Sequence, residues 1–316
     1  MMKCLITDAV YEGIAEELKK YLDVTVTDGK PLSHEDMLKQ IGDYDILIMR
    51  VNPIIDREIL DVAVNLKMIG VCAAGMNHID MEYAKVKGIH VVNAAGLNAN
   101  AVAELTFGMM LSLARKIIPA NIDVKEGHHW DRSKFVGYEL RGKTLGIMGF
   151  GRVGRRVAEL GKSFGMMIAA YDPYLKPEQF EAAGAKGMSV DELLKVSDFV
   201  SIHVPLTPET KYLFNSQTFS LMKDSAVILN MSRGGIVNEA DMYEALKEGR
   251  IGGYATDVLE NELAGSGLKG NDSFVSPLFE CENFLVTPHI GAHTLDTFHD
   301  IGIFITEKVK NFIKTA

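Results

Sequence analysis

At 316 residues the chain is long enough for about two domains, each able to bury its own core. Apolar residues make up 47% and charged residues 24%, with no Gly/Ser linker, internal repeat or low-complexity tract, which is the make-up of a globular protein in water. A net charge of -9 argues against nucleic acid and anionic membrane as partners, because both demand a basic surface, while small anions stay open because they respond to a local field.

The N-terminal run Met1 to Asp8 meets an acid too early for a secretory signal and reads as a first buried strand. Further apolar runs at 24–27, 45–50, 67–71 and 90–93 alternate with amphipathic segments such as Ile14 to Leu22 and Glu35 to Ile41. That βα rhythm predicts a parallel sheet. An apolar helix from about Ala101 to Ala114 is expected to bridge to a second series, with strands near 144–148, 167–171, 198–202, 226–230, 252–257 and 283–286. A last helix, Leu295 to Ile313, lies beyond the final strand and is expected to return onto the N-terminal unit, making that domain discontinuous. No stretch reaches the roughly 18 apolar residues of a membrane span. Cys4, Cys72 and Cys281 have neither disulfide nor metal-ligand spacing, which fits a reducing cytoplasm and no metal.

The strand at 144–148 runs into Gly149, Gly151 and Gly154, spaced Gly-x-Gly-x-x-Gly, and then into a helix with apolar residues at Val153, Val157, Leu160 and Phe164. The first glycine allows a tight turn, the second lets backbone approach a pyrophosphate, and the third lets helix and strand pack closely. The diphosphate rests on the helix N-terminus, where Arg152 adds a charge. Asp172, eighteen residues after Gly154, ends the next strand, where a carboxylate accepts the ribose hydroxyls of NAD and repels the extra phosphate of NADP. The cofactor expected is therefore NAD.

Three side chains at later strand ends suit the chemistry of such a site. Arg233 follows 226–230 among glycines, and its planar fork can grip a carboxylate while polarising a carbonyl. His289 follows 283–286 and can exchange a proton near neutral pH. Glu262, just past 252–257, can fix the tautomer of that histidine, and by spacing Glu260 competes equally. His203, also at a strand end, lines the adenosine side of the site, whereas His128 and His129 read as loop residues.

With Val102-Ala-Glu104, Ser201 to Thr207, Ser232 to Val237, Asp257 to Glu262 and Thr287 to Gly291 added, the chain resembles the D-isomer-specific 2-hydroxyacid dehydrogenase family over essentially its whole length. The resemblance implies two doubly wound α/β domains: a Rossmann NAD-binding domain, 99–289, inserted into a flavodoxin-like substrate domain, 1–98 plus 290–316, with the active site facing the carboxyl ends of the cofactor-domain strands. It makes Arg233, Glu262 and His289 the catalytic set and leaves Glu260 a bystander. It also assigns Arg152 and Val153 to the pyrophosphate, Asp172 to the ribose, Val204 and Pro205 to the adenosine side, Met231 and Asp257 to the nicotinamide end, and the loop Ala73-Ala74-Gly75 to the substrate carboxylate. One departure is Leu263, where relatives usually have proline.

The stretch His129 to Gly146 is most similar to the branch of the family that oxidises 3-phosphoglycerate, a step of serine biosynthesis. That implies cations for a phosphate, with Arg50, Arg132 and Lys134 as candidates and Arg132 supplied across a homodimer contact around residues 100–140. Val71 stands where many such enzymes carry a further arginine, so hydroxypyruvate, glyoxylate, lactate or sulfolactate are alternative substrates. The chain ends at Ala316 without the regulatory extension of long forms, so feedback by serine is not expected. The alternative from a different class is an NAD(H)-sensing corepressor-like binding protein.

Overall fold

The computed structural model describes residues 1–7, 13–27, 32–260, 262 and 275–315. The chain divides into two compact units, one made of Met1–Asn98 with Ala292–Ala316, the other of Ala99–Gly291.

The first unit holds five parallel strands, β1 (Lys3–Ile6), β2 (Asp23–Val26), β3 (Ile46–Met49), β4 (Met68–Val71) and β5 (His90–Asn93), in the order β2-β1-β3-β4-β5. This is the flavodoxin-like order. β3 and β4 are buried at every residue, as parallel strands covered on both faces are. Their side chains alternate between two cores. Leu47, Met49, Ile69 and Val71 pack with Met37 and Ile59, while Ile46, Ile48 and Met68 pack with Ile14, Leu18, Ile301 and Ile305. Ser33, Asp56 and Asp80 cap three of the helices through their side chains.

The final helix, Leu295–Thr315, thus closes one face of the N-terminal sheet, burying Ile301, Ile305 and Val309. Gly70 in β4 makes room for it, since a Cβ there would stand 3.2 Å from Ile305 Cγ2.

The second unit holds β6 (Thr144–Met148), β7 (Met167–Tyr171), β8 (Lys186–Gly187), β9 (Phe199–Ile202), β10 (Val227–Asn230), β11 (Gly253–Thr256) and β12 (Phe284–Val286). All are parallel, in the order β12-β11-β10-β9-β6-β7-β8, which is the Rossmann order carrying a seventh strand. The direction of strand addition reverses between β6 and β9, the switch point where such sheets take ligands at their carboxyl ends. The helix Ala99–Ala114 follows β5 and leads into this unit. Its buried Val102, Ala103, Phe107, Met110 and Ala114 pack with Leu145, Ile147 and Val157, so it belongs to this unit.

Candidate active site

β6 ends at the glycine turn. Gly149 is left-handed at φ 91°, its N–H donates to the Tyr171 carbonyl at 2.8 Å, and a Cβ there would come within 2.7 Å of the His203 carbonyl. A Cβ on Gly154 would stand 2.1 Å from the Gly149 carbonyl, so only glycine lets the helix Arg152–Ser163 seat against the turn. Gly151, the N-cap, is different: a Cβ there would meet no protein atom within 4 Å, and its φ of -76° suits any residue. The protein itself requires the first and third glycines. The second keeps clear a space at the helix N-terminus, which fits a diphosphate approaching backbone N–H groups.

Around this turn lie the other expected nucleotide contacts. Asp172 accepts from Phe150 N–H at 2.9 Å and Tyr174 N–H at 3.0 Å, one bond to each oxygen, which fixes the carboxylate and leaves it lone pairs for further donors. Arg152 is exposed at the first turn of the helix, and Val153 is half-buried against the core. After β9, His203 shares a 2.7 Å hydrogen bond between Nε2 and Ser201 Oγ, and burial pushes its imidazole down to about 3, so it is neutral near pH 7. Val204 is buried against the glycine turn, Pro205 is exposed, and Met231 is buried after β10.

Arg233 is carried by a turn that Asn230, fully buried at the end of β10, holds with its amide. Asn230 Nδ2 donates to the Arg233 carbonyl at 2.8 Å, and Oδ1 accepts from Ser232 N–H at 3.1 Å and Ser232 Oγ at 3.0 Å. The half-buried guanidinium donates to the Ser232 carbonyl at 2.7 Å.

His289 is held by a second buried group. Asp257 accepts from Thr287 Oγ1 at 2.6 Å and Ile290 N–H at 2.8 Å on one oxygen, and from Gly291 N–H at 2.7 Å on the other. Between these anchors His289 takes a left-handed φ of 55°, uncommon for a residue with a Cβ. Its Nδ1 lies 3.2 Å from Glu262 Oε2. Nε2 is thereby the nitrogen left for proton exchange.

Glu260, the equal competitor by spacing, faces elsewhere. Its carboxylate accepts from Tyr212 Oη at 2.9 Å and Glu239 N–H at 3.1 Å. The anchoring work of Asn230 and Asp257 escaped the sequence reading, which assigned Asp257 to the nicotinamide end alone. Asp257 meets the backbone N–H groups of residues 33 and 34 positions away, and no local pattern marks such a pairing.

Within the first unit, Arg50 follows β3. Its Nη2 meets His293 Nε2, and its guanidinium lies 5.7 Å from the Phe298 ring centroid. Ala74 and Gly75 follow β4, and Asn93 Nδ2 donates to the Ala74 carbonyl at 2.6 Å. Val71 is wholly buried at the end of β4. In the second unit, Arg132 sits exposed on the 3₁₀ turn Arg132–Phe135, and Lys134 reaches Asp123 at 3.8 Å. Leu263 lies outside the described residues. Among the described residues the one group spaced for a metal ion is His34, Asp56 and Glu58, where Asp56 is engaged by His34 Nε2 at 2.9 Å and by Ile59 N–H at 3.1 Å. No helix among them is long and apolar enough to cross a membrane.

Residues 107–291 match the family model described as D-isomer specific 2-hydroxyacid dehydrogenase, NAD binding domain. The chain belongs to the D-isomer-specific 2-hydroxyacid dehydrogenase family. It is 41% identical over 315 residues to D-3-phosphoglycerate dehydrogenase of Methanocaldococcus jannaschii, covering 99% of this chain and 58% of that protein, so it spans little more than half that relative's length. It is 38% identical over 291 residues to hydroxypyruvate reductase of Thermotoga maritima, covering 92% of this chain and 91% of that one. Among solved structures it is similar to D-lactate dehydrogenase from Aquifex aeolicus complexed with NAD and lactic acid, with a TM-score of 0.87 and 31% identity over 99% of this chain and 96% of that one. The stretch that matches this family's NAD-binding domain contains the glycine turn, Asp172, Arg233, Glu262 and His289.

Proposed function

We propose that the protein is an NAD-dependent D-2-hydroxyacid dehydrogenase, with 3-phosphoglycerate and 3-phosphohydroxypyruvate as its substrate pair. The observation that carries the reading is the Glu262–His289 pair, a carboxylate 3.2 Å from a strand-end imidazole in the domain that bears the glycine turn. Gly149, Gly151, Arg152, Val153 and Gly154 hold the diphosphate of NAD, Asp172 the ribose, His203, Val204 and Pro205 the adenosine side, and Met231 and Asp257 the nicotinamide end. Bound NAD supplies the acceptor for the hydride that leaves C2 on oxidation and the donor on reduction.

The chain's own residues do the rest. Arg233 binds the substrate carboxylate and polarises the C2 oxygen. On oxidation, neutral His289 takes the C2 hydroxyl proton on Nε2; on reduction, the imidazolium returns it to the carbonyl oxygen. Glu262 holds the tautomer and stabilises the imidazolium, so it acts as a positioning residue. Ala74 and Gly75 offer backbone to the carboxylate, and Arg50 and Arg132 are the phosphate cations. The 41% identity to a D-3-phosphoglycerate dehydrogenase favours the phosphorylated pair.

A second reading, a reductase of hydroxypyruvate or a similar unphosphorylated acid, is favoured by the hydroxypyruvate reductase relative that the chain spans almost fully, and by the buried, uncharged Val71. The deciding experiment is kcat/KM for 3-phosphohydroxypyruvate, hydroxypyruvate, glyoxylate, pyruvate and sulfopyruvate with NADH, repeated with NADPH for the best of them. The account expects the phosphorylated acid and NADH to lead. A preference for an unphosphorylated acid overturns the substrate assignment and leaves the family reaction standing.

The helix Ile117–Lys125 buries none of its side chains and exposes Ile117, Ile118 and Ile122, which supports a homodimer through this region. Sedimentation at twice the chain mass is expected, and sedimentation as a monomer contradicts it.

A further inference from the structure

The family resemblance makes Glu260 a bystander, yet its carboxylate is hydrogen-bonded within a cluster with Glu239 and Tyr212. The hydrogen bonds between it and Glu239 are reciprocal. Glu239 N–H donates to Glu260 Oε1 at 3.1 Å, and Glu260 N–H donates to Glu239 Oε1 at 2.6 Å. Tyr212 Oη adds a third bond to Glu260 Oε2 at 2.9 Å, and Tyr212 is itself tied through its N–H to the Gly235 carbonyl at 2.9 Å. Glu239 is the first residue of the helix Glu239–Lys247, so its N–H is one of the donors a helix leaves without an internal partner, and a carboxylate is the favoured acceptor there.

The segment this latch holds is the one that carries Glu262. The Leu259 carbonyl accepts from Glu262 N–H at 3.3 Å, which ties Glu262 to the backbone just before Glu260. Beneath Leu259 and Glu260 lies the backbone next to Arg233. A Cβ on Gly234 would stand 2.2 Å from the Leu259 carbonyl carbon and 2.5 Å from Glu260 N, so the two backbones touch with no side chain between them. Burial, with Glu260 and Glu262 close by, holds the Glu239 carboxyl above the usual carboxylate range, as expected for acids gathered in one place.

We infer that Glu260 and Glu239 form a carboxylate latch that sets the register of the Glu262 turn against the Arg233 turn, making Glu260 a positioning residue that acts on the reaction through Glu262. The inference rests on the proposed roles of Glu262 and His289. Its consequence is specific. Loosening the latch removes what Glu262 contributes to turnover, and once Glu262 is gone the latch has nothing left to contribute.

The test is a double-mutant cycle of Glu260→Ala and Glu262→Gln, reading kcat for 2-oxo acid reduction and the dissociation constant of NADH for each variant, with Glu260→Gln as the conservative control. Glu260→Ala is expected to lower kcat about tenfold in the parent, within the range of couplings seen in a shared hydrogen-bond network, and to change kcat less than about twofold in the Glu262→Gln background. NADH affinity is expected to stay unchanged, and Glu260→Gln, which keeps an acceptor for Glu239 N–H, is expected to recover most of the loss. An equal loss in both backgrounds overturns the latch and leaves the reading of the site intact. Parent-level kcat in Glu262→Gln itself overturns both.

Discussion

The three glycines of the nucleotide turn look alike in sequence and do different work. Gly149 is demanded by a left-handed φ of 91° and by the His203 carbonyl pressed against it, Gly154 by the Gly149 carbonyl 2.1 Å from its missing Cβ, and Gly151 by no protein atom within 4 Å. The motif made all three legible as a set, because its spacing is a backbone requirement written in residue type. Their different causes become visible only when each absent Cβ is located. A sharp expectation follows. Gly151→Ser puts a good N-cap residue in open space, so unfolding free energy should change by no more than about 0.5 kcal/mol, while NADH binding weakens about tenfold or more. Equal NADH affinity in this variant, measured by fluorescence titration, would mean that the diphosphate does not lie there. At the same scale, spacing left Glu260 and Glu262 tied, because two residues on one turn project to different partners and only their surroundings separate them. Glu262 meets the imidazole and Glu260 meets Tyr212 and Glu239.

Among the elements, strands with continuous apolar runs were read readily. β3 and β4 are buried on both faces and therefore carry Ile, Leu, Met and Val at nearly every position. β8 was missed because its two residues, Lys186 and Gly187, are exposed and carry no pattern at all. Pairing with Ala169 and Ala170 of β7 makes it a strand. The helix Ala99–Ala114 is legible as apolar, but apolar periodicity says that a face is buried and not against which residues, so its packing on Leu145, Ile147 and Val157 is visible only in the structure. The last helix raises the same question and gives a test. Ile305 is wholly buried against the N-terminal sheet, 3.2 Å from the Cβ that Gly70 lacks. Ile305→Ala should cost about 2–5 kcal/mol, and the loss should fall on the first unit. In hydrogen exchange, the amides of β1, β3 and β4 should lose protection while those of β6 and β9 keep theirs. Equal loss in both units would show that this helix does not stabilise the first unit selectively.

For the molecule as a whole, the alternation of strands and helices carried the fold class. The two strand orders, β2-β1-β3-β4-β5 and β12-β11-β10-β9-β6-β7-β8, follow from parallel pairings that no local sequence pattern records. In both units the candidate residues cluster where strands end: Arg50 and Ala74 after β3 and β4 in the first, and the glycine turn, His203, Arg233, Asp257 and His289 after β6, β9, β10, β11 and β12 in the second. That arrangement was open to sequence reasoning because each residue directly follows or closes an apolar run. Of the groups that tie those residues into working turns, the amide of Asn230 bonds within its own turn, whereas the carboxylate of Asp257 depends on N–H groups more than thirty residues away. The central claim is that His289 exchanges the proton of a 2-hydroxy acid in an NAD-dependent oxidoreduction. It is tested most directly by steady-state reduction of the best 2-oxo acid by NADH in the parent and in His289→Gln, with NADH affinity measured alongside. The account predicts a fall in kcat of about 10²–10⁴-fold with NADH affinity retained; near-parental kcat in His289→Gln would contradict it.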